Sequence, residues 1–137
     1  MKKWSIFKFL FFMAICFSSC NNENAEQNSA DEYYVKYEIK SSTSPYIGGT
    51  MDVAISAENN KEMTFVINSS TTWETIIGPV NKGFNARLSV TSASNYFGYL
   101  KINAQISVSK IGSPFALKKN DEKIGATSVQ INYTIDY

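Results

Sequence analysis

Histidine is absent from all 137 residues, which removes Ser-His-Asp and Cys-His catalysis and every zinc site built on imidazole. Cysteine is nearly absent. Cys16 and Cys20 are the two that occur, both in the first 20 residues, so the rest of the chain has no disulfide and no thiol chemistry. An excess of one charge is also missing. Thirteen basic residues face twelve acidic ones, a net +1, which gives no support to nucleic-acid binding and its usual basic excess. No apolar run reaches the ~18–20 residues of a membrane-spanning helix; the run at residues 9–17 has nine. What is present is apolar and aromatic, 44% and 14% of the chain, the composition of a folded domain and not of a disordered one.

The first twenty residues read as an address. Lys2, Lys3 and Lys8 supply positive charge, residues 9–17 a short apolar core, and Ser18-Ser19 small residues before a cut, the layout of a secretory signal. Phe17-Ser18-Ser19-Cys20 resembles the lipobox of bacterial lipoproteins. That resemblance implies that the sulfur of Cys20 is lipidated and that Cys20 begins the mature chain, with residues 1–19 as signal peptide. The signal takes three lysines and no acid with it, leaving ten basic against twelve acidic residues, a net −2. Several acyl chains on one cysteine would hold the protein on a membrane without a spanning helix. Asn21, standing where an aspartate favours inner-membrane retention in some lipoproteins, implies the outer membrane, on its periplasmic or surface face.

Residues 21–32 hold no large apolar side chain, so they cannot offset their ordering entropy and are expected to form a flexible tether with Cys20. From residue 33 the pattern changes to period two. Tyr33, Val35, Tyr37 and Ile39 alternate with Tyr34, Lys36, Glu38 and Lys40. Similar alternation recurs from Met51, Met63, Phe84, Leu100 and Val129, and less cleanly through Trp73, Thr75 and Ile77. These are strands with one buried and one wet face. Turn chemistry separates them at Ser44-Pro45, Gly48-Gly49, residues 58–61, Gly78-Pro79, residues 81–83, residues 112–114 and residues 120–123. The expected fold of residues 33–137 is all-β: a single antiparallel two-sheet β-sandwich, immunoglobulin-like, of 7–8 strands. An eight-stranded closed barrel is the alternative.

Carboxylates are the remaining catalytic currency. Asp121-Glu122 lies among Lys118, Lys119 and Lys123 and reads as an exposed charged hairpin tip rather than a desolvated acid pair. No catalytic residue, cofactor or metal site is expected. Trp73 reads as a core residue on the inward side with Ile77. Asn95-Tyr96-Phe97-Gly98-Tyr99 places three aromatics around a glycine at an expected turn, where exposed rings suit a partner or ligand. Tyr96, Phe97 and Tyr99, extended by Tyr34 and Tyr46, are the candidate binding residues.

Val35-Lys36-Tyr37-Glu38-Ile39, Thr72-Trp73-Glu74-Thr75, Phe84-Asn85-Ala86 and Ala104-Gln105-Ile106-Ser107-Val108 resemble the MmpS family of small transport accessory proteins. The resemblance implies a small β-sandwich outside a membrane, assisting a transporter. The leading expectation is a non-enzymatic, lipid-anchored envelope module that binds a transport or secretion partner, with no nucleic acid involved. A glycan-binding module using exposed aromatics is the alternative.

Overall fold

The computed structural model describes residues 32–42, 49–93 and 100–137. Eight strands run in chain order: β1 (Glu32–Ser42), β2 (Thr50–Ser56), β3 (Glu62–Asn68), β4 (Thr71–Asn81), β5 (Asn85–Ser92), β6 (Lys101–Lys110), β7 (Ala116–Ile124) and β8 (Ser128–Thr134). They form two four-stranded sheets with orders β4-β1-β6-β7 and β3-β2-β5-β8. Every pairing is antiparallel. The expected two-sheet sandwich of immunoglobulin-like size is the observed architecture.

Alternation builds the core where it is cleanest. Tyr33, Val35, Tyr37 and Ile39 from β1 and Ile102, Ala104, Ile106 and Val108 from β6 are all buried. They meet Met51, Val53 and Ile55 of β2 and Ala86, Leu88 and Val90 of β5 from the other sheet. Each large side chain removed from water contributes about 1.5–3 kcal/mol. The two core tyrosines keep their hydroxyls satisfied. That of Tyr37 donates to the Ser56 carbonyl at 2.9 Å, and that of Tyr33 donates to the carbonyl of Tyr137. Burial pushes the Tyr37 phenol well above its ordinary pKa.

Two expected turns are strand. Residues 120–123, read as a loop within a charged tip, form the middle of β7, paired with residues 103–105 and Ile102 of β6. Edge strands are held by backbone pairing on one side and need no apolar alternation, so the periodic signal is missing. Gly78-Pro79, read as a break, lies inside β4, with a cis bond and a bulge opposite residues 33–35. An edge strand accepts proline because one side of its ladder has no partner. Glycine is required there: its φ is +136°, and an added Cβ would lie 2.8 Å from both the Tyr33 carbonyl oxygen and Tyr34 Cδ1.

The sandwich closes unequally along its two sides. β7 of one sheet lies beside β8 of the other, whereas β3 and β4 touch far less. A 3-10 turn at Glu58–Asn60 leads into the open side.

Candidate binding edge

β3 is the sequence Glu-Met-Thr-Phe-Val-Ile-Asn, paired in register with β2 from Thr50↔Asn68 to Ser56↔Glu62. Among the described residues no strand pairs with its other edge. Between Glu62 and Asn68 it carries no charge and no proline, the usual devices that stop an edge from pairing with another chain. Val66 is 70% exposed on the outer side and Met63 44% exposed on the inner.

Beneath this edge the core is open to solvent. Phe65 and Trp73 bridge the two sheets, their ring centroids 5.1 Å apart at 54°. Trp73 is therefore half-buried against the core, on the side expected, and its ring is committed to Phe65. Past them runs a groove of about 470 Å³, floored by Met63 and Ile77 and rimmed by Glu58, Asn59 and Lys61. A second cleft of about 360 Å³ shares Glu58 and Asn59 and continues to Pro79, Lys82 and Phe84. Apolar floor, polar rim and an unpaired strand edge are what an extended peptide needs, with main-chain bonds for affinity and alternate side chains for specificity.

The wet face of the β4-β1-β6-β7 sheet differs. Glu38 bonds Lys40 at 2.7 Å and Lys36 at 3.1 Å, and Lys36 reaches Glu74 at 3.7 Å. Across the sheet Lys101 meets Glu122 at 3.0 Å, Asn103 donates to Glu122 at 3.2 Å, and Gln105 donates to Asn103 at 2.9 Å. The hydrogen bonds from Lys40 and Lys36 hold the Glu38 carboxyl below its ordinary pKa, and that from Lys101 does the same for Glu122. Both are ionised at neutral pH, so neither is a proton donor there. Glu122 stands exposed on a strand, and Asp121 pairs with Lys123 at 3.5 Å. Among the described residues no group of three or more His, Cys, Asp or Glu side chains is placed to hold a metal ion.

Of the candidate residues from the sequence, Tyr34 lies on this wet face, half-buried over Gly78. Cys20, Tyr46, Tyr96, Phe97 and Tyr99 lie outside the described residues. The edge of β3 was not among the candidates. Its signal was the lack of any charge or proline across residues 63–67, visible only once the strand is known to be an edge.

No protein-family model matches the chain, and no curated protein matches it.

Proposed function

We propose that this chain is a lipid-anchored lipoprotein of the bacterial cell envelope. On this reading Cys20 is acylated and the sandwich is a non-enzymatic module that binds an extended segment of an envelope transport or secretion protein. The lipobox-like Ser18-Ser19-Cys20 and the polar stretch after it support the anchor and an outer-membrane location. The observation that carries the binding role is the uncharged edge of β3, to which no strand among the described residues pairs, above an apolar-floored groove. Such an edge is a template for one more strand.

The test is a photo-crosslinker placed at Val66 in the full chain in cells. A single defined protein adduct is expected, and Met63→Lys or Thr64→Lys should abolish it while leaving the thermal midpoint within about 3 °C, since exposed substitutions stay within about 0.5 kcal/mol. Recovery of lipoprotein-processing machinery alone would overturn the binding role. Adducts indifferent to both substitutions would move the site elsewhere.

A further inference from the structure

A second apolar feature lies at the end of the sandwich where residue 32 enters. Ile111 N–H donates to the carbonyl of Glu32 at 3.1 Å, so the β6–β7 turn is fastened to the first described residue of the chain. That turn exposes three apolar side chains: Ile111 at 49%, Phe115 at 39% and Leu117 at 55%. Leu117 stands opposite Ser107, and Tyr34 opposite Ser109, both on the wet face of the sheet. The turn is built and not loose, since Ser109 Oγ donates to the Ser113 carbonyl at 2.5 Å and Ser113 N–H to the Lys110 carbonyl at 2.8 Å. Lysines border it. Lys110 lies over the Tyr33 ring at 5.9 Å and Lys118 over the Tyr137 ring at 4.2 Å, and Lys119 is exposed.

We infer that this turn is the surface by which the anchored domain rests on the lipid bilayer. The inference rests on the lipoprotein reading. An acylated Cys20 would be joined to Glu32 by about a dozen residues, which reach at most ~40 Å even when fully extended. The end that carries Glu32 is thus held within reach of the headgroups, and the apolar turn is bonded directly to it. Ile, Phe and Leu at the acyl boundary with lysines among anionic headgroups is the chemistry of interfacial contact. Contact there fixes which way the domain faces. β3 is at the far side of its sheet from β8, and β7 lies beside β8, so a turn seated on lipid leaves the β3 edge free.

The test uses the full lipidated protein in phosphatidylethanolamine–phosphatidylglycerol vesicles. The mature chain would have no free thiol, so Phe115→Cys, Leu117→Cys and Val66→Cys each accept one nitroxide label. Expected are collisions with oxygen over a polar nickel complex at positions 115 and 117, and the reverse at 66. Protein that floats with the vesicles yet shows the aqueous signature at 115 and 117 overturns the contact and leaves the anchor intact. Protein that fails to float overturns the anchor, and the inference with it. Labels at 115 shielded from both reagents and broadened by a second label would mean that two copies meet there, which also overturns it.

Discussion

β3 and β7 are both edge strands, one in each sheet, and they treat their free edges in opposite ways. β7 carries Lys118, Lys119, Asp121, Glu122 and Lys123 within nine residues. An incoming strand would have to desolvate that row, so the edge is closed to pairing. β3 has no charge between its first residue and its last. The same contrast separates the two sides of the sandwich, closed where β7 lies beside β8 and open where β3 and β4 part over Phe65 and Trp73.

The open side depends most on Gly78, which lets β4 bulge along it. Gly78→Ala forces a side chain into a backbone conformation at φ +136° with contacts of 2.8 Å to Tyr33 and Tyr34. The expected loss is about 3 kcal/mol, read as a lower urea midpoint at unchanged m-value. Gly83→Ala is the control: its φ is also positive, at +87°, but nothing lies within 4 Å, and about 1 kcal/mol is expected. Equal losses at the two sites would mean that the bulge does not hold the open side in shape.

Trp73→Ala is next, with an expected loss of about 2 kcal/mol, below the 3–5 of a fully buried ring because Trp73 is only partly buried. Leu117→Ala on the closed side should cost under about 0.5 kcal/mol, as for other exposed positions. A loss at Leu117 matching that at Trp73 would show that β7 is a packed strand rather than a screen. Charge removal sharpens the point further. Lys119→Val with Asp121→Val should leave the urea midpoint almost unchanged and turn β7 into a second sticky edge, detected as concentration-dependent self-association in sedimentation velocity.

How much of this was legible in the sequence follows from the same contrast. The central strands β1, β2, β5 and β6 bury mainly one face, the exceptions including Ser107 and Ser109 on the outer side of β6, so burial is written as alternation. Tyr33, Val35, Tyr37 and Ile39 are all inward as predicted. At the edges that signal fades, because a strand with one neighbour is fixed by backbone bonds that any residue supplies. β7 therefore looked like a loop, and Gly78-Pro79 looked like a break instead of a bulge. The free edge of β3 was hidden for a related reason. Val66 belongs to an ordinary strand in the sequence, and only the sheet order shows that no other described strand pairs with its outer edge.

The smallest expected effect separates the centre of a sheet from its edge by charge alone. Glu38 lies on central β1 between Lys36 and Lys40, its side chain 13% exposed, whereas that of Glu122 on β7 is 42% exposed. Both carboxyls are held below the ordinary 4.5 in the folded protein. The stability each contributes is present above that value and lost as pH falls through the lower folded one. Lys36 runs the other way. Its pKa is raised above 10.5, chiefly by the Glu38 hydrogen bond, so its contribution is complete below that value and lost as pH climbs through the raised one. Glu38→Gln should therefore flatten both limbs of the stability–pH curve by well under about 1 kcal/mol, and less in high salt. Glu122→Gln should flatten the acid limb by less than Glu38→Gln does, because the Glu122–Lys101 pair is exposed and screened by water. Unfolding midpoints from pH 3 to pH 11 check this, and equal effects from the two substitutions would show that the charged face is screened uniformly from centre to edge.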